Sequence, residues 1–201
     1  MNLKDRFFQN ARKPHGFLGK LMMLRMNRRH EPLYRWGLSF LDIRAESRIL
    51  DIGCGGGALA ALLLKETECE SVDAIDYSED CIAATIRRTR FAGDRCTVRL
   101  GDVGALPYKD RSFDIATAFE TVYFWPDLKR SLNGLYRVLK PNGTLLIACE
   151  LSAPNPILCE RIRGMKIYTA DALVDFTEAV GFFSVRSERK NGWFCIIARK
   201  K

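Results

Sequence analysis

The stretch Ile49-Leu50-Asp51-Ile52-Gly53-Cys54-Gly55-Gly56-Gly57-Ala58 carries the densest chemical signal in the chain. An apolar run ends in a turn with glycine at four of five positions, Gly53 to Gly57, and then opens a helix. Glycine permits the tight turn and close approach of a ligand, and a helix N-terminus offers N–H groups to a negative group. The glycines alone leave the ligand open, since Gly53, Gly55 and Ala58 also satisfy the dinucleotide fingerprint. Three carboxylates separate the alternatives. Asp51, two residues before the first glycine, repels a pyrophosphate and attracts an ammonium group. Asp76 ends the next strand, placed to accept both hydroxyls of a ribose, with Tyr77 available for an adenine face. Asp102 follows the third strand and can accept from the adenine amino group while Val103 packs on the ring. Acids at three successive strand ends lie on the edge where open α/β sheets bind ligands.

What positions these residues is an alternation of β-branched runs and helical stretches from about residue 47. It predicts strands at 47–52, 71–76, 97–100, 113–119 and 143–151, and helices at 57–65, 79–91, 128–139 and 169–180. Lys140-Pro141-Asn142-Gly143 reads as a turn before the fifth strand, and Thr169 and Gly181 as the caps of the last helix. A closing hairpin, 182–187 and 193–199, turns at Lys190-Asn191-Gly192. Strand–helix alternation implies right-handed crossovers, so the expected fold is α/β: a doubly wound, mostly parallel seven-stranded sheet with an antiparallel C-terminal strand.

The order of motifs over about residues 45–150 resembles the class I S-adenosylmethionine-dependent methyltransferases, in particular the small ubiquinone/menaquinone-biosynthesis type. The likeness rests on Leu50 to Gly57, Asp76, Gly101 to Tyr108, Ser112 to Ala116, and Leu135 to Gly143. It implies a Rossmann-like domain that binds S-adenosyl-L-methionine and its product S-adenosyl-L-homocysteine. It places the methionine end of the cofactor at Asp51, Gly53, Cys54 and Gly55, the ribose on Asp76, and the adenine among Tyr77, Asp102 and Val103. Phe119-Glu120-Thr121 would then lie beside the methyl-bearing sulfur. The reaction implied is displacement at carbon, in which the protein aligns, excludes water and removes a proton where needed.

No catalytic base stands out. Relatives often carry a histidine near position 124, where this chain has Phe124. The candidates are His15, His30, Glu120 and Tyr123. Tyr123, Phe124 and Trp125 read either as an aromatic substrate wall or as packing against the N-terminal helices, and Arg161, Arg163 and Lys166 as a second wall. Signatures of base methylation are absent: there is neither an Asn/Asp-Pro-Pro-aromatic run nor a Pro-Cys pair.

The N-terminal segment carries the charge. Residues 1–44 hold ten basic and three acidic side chains, which accounts for +7 of the net +8. The segment reads as a helical lid, with a helix at 16–29 bearing one stripe of Phe17, Leu21 and Leu24 and another of Leu18, Met22 and Met26. Its charge favours an anionic small-molecule acceptor. RNA or protein methylation is the alternative, disfavoured because 201 residues make one domain with no room for separate recognition. A non-catalytic cofactor-binding regulator is the third reading. Seven scattered cysteines without a C-x-x-C pair imply reduced thiols of a cytoplasmic protein and no metal site, and no apolar run reaches the roughly 20 residues of a membrane span.

Overall fold

The computed structural model describes residues 14–153 and 155–201, without the side chains of residues 17, 18 and 20. Residues 1–13 of the expected lid, and the side chains of Phe17 and Leu18 on its two stripes, lie outside the described residues. Strands β1 (Arg48–Ile52), β2 (Ser71–Asp76), β3 (Cys96–Leu100), β4 (Phe113–Phe119), β5 (Leu139–Cys149), β6 (Phe183–Lys190) and β7 (Trp193–Arg199) form one sheet. Its order is β3-β2-β1-β4-β5-β7-β6, parallel from β3 to β5 and antiparallel at β5–β7 and β7–β6. The chain is therefore the doubly wound sheet that the alternation implies.

Both faces are covered, as a parallel sheet requires. Leu50, Ile52, Leu145 and Ile147 face a core closed by α4 (Leu128–Val138) and α6 (Ala170–Val180). Ile49, Val72, Ala74 and Leu146 face the other core, under α1 (Gly16–Leu38) and α2 (Ala58–Glu66). Helix α3 (Glu79–Thr89) and the short α5 (Pro156–Arg161) complete the fold. Because β1 pairs with β2 on one side and β4 on the other, a crevice opens where their carboxyl ends diverge. Ile52, Asp76 and Phe119 all end at that edge.

Several boundaries differ from the sequence reading. Helix α1 does not stop at Arg29 but runs to Leu38 with Pro32 inside it. An interior proline costs about 3 kcal/mol; burial of Leu33 and Tyr34 directly after it offsets that cost. The expected stripe of Leu21 and Leu24 points outward, both more than half exposed, while Met22 and Met23 are buried. Strand β5 begins at Leu139, earlier than expected, because Asn142 pairs with Lys200 through N–H to O at 2.8 Å. The Pro141-Asn142 turn is thereby absorbed as a bulge with Asn142 at φ 62°. Helix α3 ends at Thr89, followed by a 3₁₀ turn, Arg90–Arg95, and β6 extends to Lys190.

Candidate active site

The crevice at the ends of β1, β2 and β4 is a cavity walled by the glycine loop, the strand-end acids and one face of α1. The loop's donors are already engaged. Gly53 and Cys54 N–H both donate to Ile75 O at 2.8 and 3.1 Å, and Gly55 N–H donates to Asp76 Oδ2 at 3.0 Å. The anion-binding array expected of the turn is thus closed off at these three amides, and the glycines supply space instead. Gly53, at φ +69°, packs so closely on Thr121 that a Cβ would overlap its methyl group. Gly55, at φ +53°, has nothing within 4 Å of its missing Cβ and opens onto the cavity.

Asp51 sits behind the loop, 2% exposed, and is not part of the cavity wall itself. Its Oδ1 accepts from Thr117 Oγ1 at 3.3 Å, while Oδ2 is buried without a hydrogen-bond partner among the described residues. Burial raises its pKa to about 7. Asp76 is also buried and shifted up by desolvation, and Oδ1 accepts from Ser78 N–H at 2.9 Å. Tyr77, Asp102 and Val103 line the cavity beyond it, Asp102 fixed by accepting from Gly104 N–H at 2.7 Å. Cys54 and Phe119 line it as well.

The opposite wall is built from residues far apart in sequence. Met23, Met26, Asn27, His30 and Tyr34 of α1 face the cavity. Met23, Met26, His30 and Tyr34 recur every three or four residues, the spacing of one helix face, with Asn27 next to Met26. Glu120, just past β4, occupies a left-handed backbone at φ 61° and lines the same wall. Its Oε1 accepts from Tyr123 OH at 3.1 Å and from the backbone N–H of Glu150. Glu150 in turn faces α1, with Oε2 3.1 Å from the Arg29 guanidinium and 3.9 Å from His30 Nε2. Burial pushes Glu120 up to about 7 and His30 down to about 4, so the imidazole is neutral.

Not every sequence candidate meets the cavity. His15 lies at the start of α1, 92% exposed and paired with Asp80 at 3.3 Å. The Tyr123 side chain is 2% exposed and outside the wall: it anchors Glu120 and accepts from Leu151 N–H at 3.0 Å. Of the three aromatics Phe124 and Trp125 line the cavity. Arg161 is exposed on α5, away from the wall. Thr121 lines the cavity beside Glu120, and Asn27, Tyr34 and Glu150 are additions that spacing did not single out. A side chain at Gly56 would strike the Asn27 amide, which shows how closely α1 seals the loop.

Residues 50–147 match a family model described as a methyltransferase domain. Over that stretch, just under half of the chain, the sequence is similar to the S-adenosylmethionine-dependent methyltransferases. Among curated relatives, Methyltransferase GfsG of Streptomyces halstedii is 37% identical over 110 residues, which is 54% of this chain and 39% of that one. The 27-O-demethylrifamycin SV methyltransferase of Amycolatopsis mediterranei is 35% identical over 118 residues, covering 58% and 43%. The chain thus spans less than half the length of either relative. A similar solved fold is that in the complex of the Haloferax volcanii Trm112 methyltransferase activator with its methyltransferase. There the TM-score is 0.83 at 17% identity, covering 98% of this chain and 99% of that one.

The methyltransferase cofactor is cationic at its sulfonium and ammonium groups, and the cavity suits such a ligand. Asp51 Oδ2 and Thr121 Oγ1 are buried acceptors without partners among the described residues. A buried acceptor left unpaired costs about 1–3 kcal/mol, which a ligand donor would recover. The closed-off loop amides fit a pyrophosphate poorly for the same reason.

Proposed function

We propose that this chain binds S-adenosylmethionine in the crevice and transfers its methyl group to a small-molecule acceptor. The observation that carries the reading is the pair Asp76 and Asp102 at two strand ends on the cavity wall, with Asp51 buried behind the loop and its Oδ2 without a hydrogen-bond partner among the described residues. When bound, the cofactor supplies an electrophilic methyl on a good leaving group. Asp51 and the backbone at Gly53 and Gly55 would hold its amino-acid end, Asp76 the ribose hydroxyls, and Tyr77, Asp102 and Val103 the adenine. Helix α1 covers the cavity with Met23, Met26 and Tyr34, excluding water and narrowing the paths open to an acceptor.

The relative named for 27-O-demethylrifamycin SV supports a small molecule. The lining does not favour an anionic one. Arg25, Arg28 and Arg35 line a separate outer groove between α1 and α2, and Arg29 is paired with Glu150. On the cavity wall the ionisable side chains nearest the acceptor end are Glu120 and neutral His30. Calorimetry with S-adenosylmethionine, its demethylated product and NAD tests the reading. Micromolar binding of the first two and none of NAD is expected; NAD binding without a response to the adenosyl compounds overturns it.

A further inference from the structure

We infer that His30, Glu120 and Glu150 form a site for one divalent transition-metal ion at the acceptor end of the cavity. The three donors come from three elements, α1, the turn after β4 and the end of β5, and one ligand atom from each lies within 4.8 Å of the other two. An ion at the centre of such a triangle is at most about 2.8 Å from each donor. Bond lengths of about 2.0–2.2 Å then need side-chain shifts under about 1 Å. Loop acids often cluster without a metal; this cluster differs in two ways. His30 is 93% buried by its 7% exposure, lines the cavity, and its Nε2 stands 3.9 Å from Glu150, beyond hydrogen-bond reach. A buried imidazole nitrogen turned toward two carboxylates is the donor a metal takes.

The second difference is support. Tyr123 OH and the Glu150 N–H hold Glu120 Oε1, the outer-shell pattern that orients metal ligands. Glu120 holds its left-handed backbone although it is not glycine, a conformation that persists where surroundings over-determine it. Charge agrees as well: beside the two partly buried carboxylates stands Arg29, paired with Glu150 through a side chain that is 71% exposed and able to withdraw. One nitrogen and two carboxylate oxygens suit Zn²⁺, Co²⁺ or Mn²⁺, whereas Ca²⁺ requires six to eight oxygens. Three protein ligands leave a coordination position open, and His30 and Glu120 turn it toward the cavity. There the ion would hold an acceptor oxygen or sulfur as its anion, a role that rests on the methyl-transfer reading; the ion site itself does not.

The test titrates the metal-free protein with Co²⁺ and records the visible spectrum, followed by displacement with Zn²⁺. One equivalent of Co²⁺ is expected to give d–d bands of an N/O site without the thiolate charge-transfer band that a cysteine site would add. Affinity should fall at least tenfold in Glu150→Gln and be lost in His30→Ala, with Glu188→Gln on the distant β6 as control. Circular dichroism establishes that each variant is folded. No Co²⁺ spectrum from folded wild-type protein, a thiolate band, or unchanged binding in the folded double variant His30→Ala/Glu150→Gln each overturns the proposal. Cofactor calorimetry on the same samples separates the readings: cofactor binding without metal binding removes only the ion, and absent cofactor binding removes the methyl-transfer reading.

Discussion

The two walls of the cavity are built on different principles. The wall at the ends of β1, β2 and β3 is local backbone geometry: Gly53 and Cys54 N–H donate to Ile75 O, Gly55 N–H donates to the Asp76 carboxylate, and the acids lie at or next to the strand ends. The opposite wall is side chain held by side chain, with α1 meeting the ends of β4 and β5 through Arg29, His30, Glu120, Tyr123 and Glu150. A wall of the first kind depends on a few adjacent residues and fails when one gains an atom. A wall of the second kind spreads its cost, and single losses weaken it without erasing the cavity.

Substitutions can break this contrast. Gly53→Ala is expected to act most strongly, because it forces a side chain into left-handed backbone and into Thr121. It should cost about 3 kcal/mol of stability and abolish cofactor binding, measured by denaturant unfolding and calorimetry. Next, Asp76→Ala should weaken cofactor binding by about 2–4 kcal/mol with the fold intact, since a hydroxyl pair loses charge-assisted hydrogen bonds. Asp51→Asn sharpens the comparison through pH. The pKa of Asp51 is raised in the folded state from 3.8 to about 7, so the native protein keeps a proton that the unfolded chain releases. Wild-type stability without cofactor should therefore fall as pH rises from about 4 to about 7, then level off. Asp51→Asn should flatten part of that slope and be the more stable protein at pH 7, while binding cofactor less well; an unchanged slope would refute the assignment.

Smaller effects are expected on the second wall and beyond it. Tyr123→Phe removes the hydroxyl shared by Glu120 and Leu151 N–H and should cost about 1–2 kcal/mol of stability, leaving cofactor affinity within twofold. Should it abolish cofactor binding instead, the two walls are not separable. Least of all, Arg25→Ala with Arg28→Ala, in the outer groove, should change stability by under about 0.5 kcal/mol and cofactor affinity not at all.

The same contrast explains what was legible in the sequence. The loop, Asp76 and Asp102 are readable because strand, turn and acid are contiguous, and parallel strands bring their carboxyl ends to one edge. Glu150, Asn27 and Tyr34 were not, because their relation to the cavity exists only once α1 lies across the sheet. Tyr123 and Arg161 were misplaced for the converse reason. An aromatic beside a site can face the wall or the core, and here Tyr123 turns inward to satisfy Glu120. The basic segment suggested an anion, yet its arginines divide between an outer groove and an internal pair. Helix α1 was read too short because local propensity at Pro32 was outweighed by the burial of Leu33 and Tyr34.

Two sulfurs on the cavity wall carry a further consequence. Cys54 and Cys81 both line the space, Cys54 against Thr85 at 3.5 Å and Cys81 donating to Met23 Sδ at 3.6 Å. Burial pushes the Cys81 thiol up to about 12 and Cys54 well above its ordinary range. The thiolate, not the thiol, is the nucleophile, so burial withholds the reactive form of both sulfurs. A protein that shelters an alkylating agent must not become its substrate. By keeping both thiols protonated, the cavity wall withholds from a reactive methyl donor the thiolates of Cys54 and Cys81.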